Sequence, residues 1–436
     1  MSEYVLKKGI VVTPGKKPRA GSIGVSGKKI ASVKFGDNAE SAAGGTVIDL
    51  KGASFVYPSL VNSHDHLQGN YRPPIGPKEG TFYLNWQPWD NDLKSSATFA
   101  ERSKLVREEL YLLSSYKCIF SGVTTVNDHF PHTINSKILP TLPIRAIQEY
   151  TLAHEATSYD LKWGDGVPEE HARAVEKNWP FITHLCEGFD EESMHSVGAL
   201  EKMGILDNHC LFVHCIGFSD EDIKKAAKAG ASISLCPSSN LRMFNVTAKM
   251  RKMIKSGMNL AIGTDSSASG PANLLEEMRV IRRVYQEMYR EDLSPEKIFH
   301  MVTINGAKAF RMQDRIGSIE EGKLGDLMVV KARKNDPYEN LVSTTMEDIQ
   351  LLVLEGNPIY GERRFLDIFT AAGGKQEIPA GYTEITVGKK PMFVIGDPAA
   401  LYREIRSRTG FKKILDFLPF DPAPAATAEK PAKEST

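Results

Sequence analysis

The chain has 436 residues, of which 41% are apolar and 25% charged, a composition that suits a globular enzyme with one large unit and a smaller one. Lys and Arg number 54, as do Asp and Glu, so no bulk field draws the chain to nucleic acid or an anionic membrane. Five cysteines without a C-x-x-C pair fit free thiols in a reducing compartment, and no apolar run has the length of a signal peptide or membrane span; the expectation is a cytoplasmic protein.

Residues 1–57 alternate apolar and polar positions in glycine-broken runs such as YVLKKGIVVT and GTVIDLKG, the pattern of short strands. From residue 58 strands alternate with helices. Seven strands are legible: SLVNSHDH, VTTVND, IRAIQEYTL, FITHL, CLFVHC, ASISLCP and NLAIGTD. A cap box at Thr98 and Glu101 predicts a helix running to Gly122, Ser219 with acids at 220–222 predicts one ending near Gly230, and others are expected to start at Pro271 and at Ser294–Pro295. Such alternation argues a parallel sheet covered by helices, a (β/α)8-type barrel over 58–317. One strand is missing from the count, which places a distortion around the fourth strand, between 145 and 180. Beyond 317 β character returns (DLMVVKA, DIQLLVLEG) and is expected to join the N-terminal strands, giving one small domain from 1–57 and 318–395. A helix over 396–420 and a low-complexity, disordered tail over 421–436 complete the chain.

His64 and His66 close the first strand, and residues two apart on a strand point to the same side. FITHL ends in His184 with Glu187 three residues on, LFVHC ends at His214, and NLAIGTD ends at Asp265. Barrel strands deliver their C-terminal ends to one mouth, so His64, His66, His184, Glu187, His214 and Asp265 are expected to converge there. Histidines with a carboxylate suit one divalent metal with a position left for water; zinc is the first expectation, and iron or manganese fit the same nitrogen and oxygen donors. The long segment LQGNYRPPIGPKEGTFYLNWQPWDND after the first strand has a lid's composition. Its Gln68, Arg72, Trp86 and Trp89 are candidates to contact a flat ring. His129 and His132 lie just past the second strand, where either contacts substrate, caps the strand or holds a second ion; His154 follows the third.

These motifs (NSHDH at 62–66, GVTTV at 122–126, THLCE at 183–187, VHC at 213–215, CPSSN at 236–240, GTDS at 263–266 and IGSIEEGKLGDLMVV at 316–330) resemble the amidohydrolase superfamily, in its cytosine deaminase, guanine deaminase and triazine hydrolase branch. The resemblance implies a TIM-type barrel with a small composite β-sandwich from both chain ends. It implies metal ligands His64, His66, His184 and Asp265, a proton shuttle at Glu187, and His214 as a catalytic partner. Asp265 joins these two in catalysis, and His129, His154 and Asn240 join the expected substrate contacts. The stretch 138–161 contains no lysine to bridge two ions, which argues for one. The implied activity is a deaminase that releases ammonia from a nitrogen heterocycle through metal-activated water. The alternatives are hydrolysis of a cyclic or linear amide, a dechlorinating hydrolase and a non-catalytic metal-binding relative. A small-molecule substrate and a homodimer are expected; the substrate itself is not written in the motifs.

Overall fold

The computed structural model describes residues 3–36, 45–370 and 376–422. Both ends of the chain build a ten-stranded sheet. The N-terminal part gives β1 (Glu3–Val11), β2 (Arg19–Ser26), β3 (Lys29–Phe35), β4 (Thr46–Asp49) and β5 (Ser54–Pro58). The middle of the chain supplies β6 (Leu60–Asp65), β7 (Val123–Asp128), β8 (Arg145–Ala146), β9 (Thr151–Glu155), β10 (Phe181–Leu185), β11 (Cys210–His214), β12 (Ser232–Leu235) and β13 (Asn259–Ile262). The C-terminal part adds β14 (Leu327–Lys331), β15 (Ile349–Leu354), β16 (Asn357–Glu362), β17 (Tyr382–Val387) and β18 (Lys390–Ile395).

The terminal segments meet where β5 pairs antiparallel with β14, Phe55 opposite Val330 and Tyr57 opposite Met328. Side-chain alternation explains why these strands are apolar throughout. Phe55, Tyr57, Met328 and Val330 face the main core, whereas Val56, Leu327 and Val329 face a second cluster with Leu6, Ile23, Leu351 and Phe393. The ten-stranded sheet is thus buried on both sides along its middle.

Strands β6 to β13 form two parallel sheets, β6-β7-β8 and β13-β12-β11-β10-β9. Their uniformly buried runs, such as FITHL and CLFVH, are what strands covered on both faces require. The sheets approach where Thr264 N, just past β13, donates to His64 O at 2.9 Å. The count of parallel strands is eight rather than seven. The run IRAIQEYTL is not one strand: β8 pairs with β7, the chain turns outward at exposed Gln148 and Glu149, and β9 then pairs with β10. No helix separates β8 from β9, whereas the gap between Leu152 and Phe181, where the strand was expected to be missing, holds the helix Val167–Lys177. His154 therefore lies within β9 and not after the third strand.

Helix boundaries differ in three places. The helix expected from Thr98 to Gly122 is broken: Ser96 caps Ala97–Glu101, the backbone becomes extended at Leu105, and a new helix spans Arg107–Phe120. The helix expected at Pro271 begins at Leu274, where the Asn273 side chain accepts from Glu276 N. The C-terminal helix is Pro398–Thr409 and not 396–420, because Gly410 ends it with a left-handed φ of 82°. The starts at Ser219, where the structure adds a capping box with Asp222, and at Ser294 are as expected. Of the expected tail, residues 423–436 lie outside the described residues. All five cysteines are buried and free. No helix among the described residues is long and apolar enough to cross a membrane.

Candidate active site

The C-terminal ends of β6, β10, β11 and β13 bring the expected polar residues together. His64, His66 and Asp265 place one donor atom each within 4.8 Å of one another, and so do His64, His184 and His214. His64 belongs to both groups. Left-handed backbone aims two of these side chains: φ is 68° at His214 and 55° at Asp265, conformations that cost non-glycine residues energy and persist where the surroundings impose them.

Hydrogen bonds set the tautomers. A carbonyl only accepts, so His184 Nδ1 carries the proton it gives to His154 O at 2.7 Å, leaving Nε2 with its lone pair. His214 Nδ1 lies 2.8 Å from Asn240 Oδ1, whose amide Nδ2 donates to Thr247 Oγ1. The His214 lone pair is then on Nε2, 3.4 Å from Glu187 Oε1. Asp265 accepts from Ser239 Oγ and Ser269 Oγ at 2.8 Å on Oδ2 and from Ser266 N at 2.6 Å on Oδ1. Its Oδ1 also lies 3.8 Å from His66 Nε2.

Burial, reinforced by neighbouring histidines, holds the proton affinity of His64 and His184 well below the ordinary imidazole range. Neutral imidazoles are what a metal requires. Both ring nitrogens of fully buried His64 lack a hydrogen-bond partner. An unpaired buried polar group costs free energy, and coordination would satisfy it, so the donor set fits a divalent ion. Glu187 behaves oppositely: burial, with Asp265 and Glu155 nearby, pushes its carboxyl well above the usual range.

Of the remaining candidates, Gln68, Arg72, Trp86, Trp89 and His154 line a cavity of about 260 Å³ together with His66, His184, Glu187, His214 and Asp265. Both indole N–H groups are already engaged, Trp86 with Glu155 Oε2 at 2.7 Å and Trp89 with Ile75 O at 3.1 Å; the tryptophans offer the cavity surface, not donors. Asn240 does not line the cavity: it is fully buried and orients His214. His129 packs against His184, ring centroids 4.4 Å apart, and its Nε2–H donates to Ala153 O. His132 opens the helix His132–Ile138 with its ring on Tyr150, apart from the cluster.

Two features escaped the sequence reading. Trp163 contacts His154, His129, His66 and Phe130 and lines the cavity; it sits in the stretch whose strand was miscounted. Lys117 is fully buried, and its Nζ reaches Asp65 Oδ2 (3.0 Å), Asn70 Oδ1 (2.7 Å), Thr264 Oγ1 (3.3 Å) and Asp265 O (3.2 Å). One ammonium thus ties the end of β6 to the segment carrying Asp265. Lys117→Met leaves Asp65 buried without its cation and is expected to lower stability by about 3–5 kcal/mol in denaturant unfolding. Adding Asp65→Asn should recover part of that loss; no recovery would show that the ion pair is not what the first change breaks.

A model of the amidohydrolase family matches residues 168–359. A 5-methylthioadenosine/S-adenosylhomocysteine deaminase of Thermoanaerobacter pseudethanolicus is 30% identical over 360 residues, covering 70% of this chain and 81% of the relative. The chain belongs to the amidohydrolase family. The amidohydrolase is also 27% identical over 427 residues to the enzyme of the same name from Pyrococcus abyssi, covering 84% of this chain and 96% of that one. An adenosine deaminase structure from Xanthomonas campestris with bound zinc matches its fold at a TM-score of 0.67 and 18% identity, over 82% of this chain and 92% of that one. This amidohydrolase is a hydrolase acting on carbon–nitrogen bonds.

Proposed function

We propose that the amidohydrolase is an aminohydrolase that replaces the amino group of a nitrogen heterocycle by oxygen and releases ammonia, and that it uses a single zinc ion. The observation that carries this reading is the buried carboxyl of Glu187, 3.4 Å from His214 Nε2 at the edge of the imidazole–carboxylate cluster, where burial raises its proton affinity. Relatives named for deamination of adenosine-type compounds support an aminated purine or a ring like it. We further read β6 to β13 as one eight-stranded barrel over 58–317, the ten-stranded sheet as the composite sandwich domain, and Pro398–Thr409 as an appended helix.

His64, His66, His184 and Asp265 would hold the ion. When bound, the ion supplies Lewis-acid activation of the water that replaces the amine. Asp265 is fixed for this by Ser239 and Ser269. Glu187 holds a proton at its carboxyl and delivers it to the ring nitrogen beside the reacting carbon, so that electrons displaced by attack have a place to go. The carboxylate so formed takes up a proton from the attacking water and passes it to the leaving amine, then regains its own proton from the new hydroxyl as the carbonyl forms, so that water and C–NH2 become C=O and ammonia. His214, held by Asn240 with its lone pair on Nε2, faces Glu187 and is placed to accept a proton from the attacking water. The aromatic walls Trp86 and Trp163 keep the site dry, which sustains the raised proton affinity of Glu187.

The test is an ammonia assay on metal-loaded protein over aminated purines, pyrimidines, pterins and triazines. Ammonia from at least one ring is expected. Ring opening of a cyclic amide without ammonia from any amine would overturn the reading in favour of amide hydrolysis.

A further inference from the structure

Away from the imidazole cluster, the cavity wall carries two guanidinium groups that the reaction above does not use. Arg72 and Arg102 both line it. Arg72 is 8% exposed and lies 5.5 Å from the ring centroids of Tyr71 and Phe99; Arg102 stands 6.0 Å from the same Phe99 ring. The two cations therefore flank one aromatic side chain. Arg102 Nη2 donates to Gln68 Oε1 at 3.1 Å, and Arg72 Nε reaches Tyr71 Oη at 3.5 Å. These contacts leave most of the guanidinium donors unused.

No carboxylate pairs with either arginine among the described residues. Asp90, which lines the same cavity, is engaged with Lys94 at 2.5 Å, and Glu101, next to Arg102 in the chain, with Lys413 at 2.7 Å. Burial and the positive neighbours Arg107 and Arg72 weaken the hold of Arg102 on its proton, so the pair repels itself. Two like charges facing a partly dry cavity without a counter-ion are costly unless a ligand brings one. Arg72 is also fixed to the metal side of the cavity. Its carbonyl accepts from Ser267 Oγ at 2.7 Å, two residues beyond Asp265.

The geometry points to Arg72 and Arg102 as an acid-recognising subsite, so that the heterocyclic substrate carries a carboxylate or phosphate on its non-reacting part. The inference rests on the aminohydrolase reading for the ring and on the arginine pair for the acid. Planar guanidinium forks match both oxyanions.

Zinc-loaded Glu187→Gln protein can be titrated with matched pairs: adenosine with adenosine 5′-monophosphate, methylthioadenosine with S-adenosylhomocysteine, and pterin with pterin-6-carboxylate. For at least one pair the acidic member is expected to bind about 10-fold tighter or more, a charge-assisted hydrogen bond's share. The pair that responds separates phosphate from carboxylate. Adding Arg102→Met or Arg72→Met should bring that ratio toward one, with circular dichroism and metal content unchanged; Arg102, the less buried of the two, covers the case in which Arg72→Met misfolds. A ratio near one before the change, or one that survives both changes, overturns the subsite. If no ring binds at all, the aminohydrolase reading fails separately. Inorganic phosphate then decides the subsite: it should raise Tm in the wild type and not in the double arginine variant, and equal shifts overturn it.

Discussion

Glu187→Gln is expected to reduce ammonia release by about 10²–10⁴-fold, the range for losing a general acid–base group, while metal content per chain stays as in the wild type. The argument is one of shape and charge. Glutamine has nearly the same volume and keeps an oxygen and an amide toward His214 Nε2, so the wall of the cavity is preserved. It cannot carry a transferable proton. The carboxyl of Glu187 is suited to that task because burial, with Asp265 and Glu155 nearby, keeps it protonated well above the ordinary glutamate range. Paired elemental analysis and ammonia assays check the expectation. A variant that lost metal would make Glu187 a ligand, and one that kept full turnover would remove it from proton transfer altogether.

The chemistry of the cluster was legible in the sequence because barrel-type strands are short and end where their apolar run ends. His64, His184 and His214 each follow a buried run, and that position alone predicts convergence. The supporting contacts were harder to read. Asn240 was expected to touch substrate, but it lies in the helix Pro237–Phe244 and its partner is His214, twenty-six residues earlier at the end of β11; spacing within one motif carries no information about that contact. Lys117 lies on a helix whose charged residues ordinarily face solvent. Only its reach to Asp65, Asn70 and Asp265 O explains a buried ammonium there. The strand count failed at 145–155 because β8 and β9 follow each other with no helix between them, so the period never changes and the split leaves no signal. The break before Arg107 was missed for a similar reason: a short capped turn and a true helix share the same start signature. Trp163 was lost with that region, although an indole in a glycine-bounded loop beside a site is a candidate wall on composition alone.

Removal of the metal is expected to abolish ammonia release and lower Tm, with both restored by about one equivalent of zinc. The stability part follows from the cluster itself. Without an ion, fully buried His64 keeps two ring nitrogens unsatisfied, a burden of about 1–3 kcal/mol for each buried group. An ion that binds the folded chain alone adds stability by mass action, about 4 kcal/mol at a thousand-fold excess over Kd. His64→Ala should reproduce the loss irreversibly, because His64 is shared by both donor groups and no second residue stands in its place. The pH dependence has a fixed sign. The imidazoles must be neutral to coordinate, so lowering the pH puts protons in competition with the ion and weakens zinc binding. His129→Ala separates one ion from two. Its ring packs on His184 but joins neither donor group, so elemental analysis should give the same metal content as the wild type. A fall from two ions to one would place a second ion at His129 and change the proposed stoichiometry.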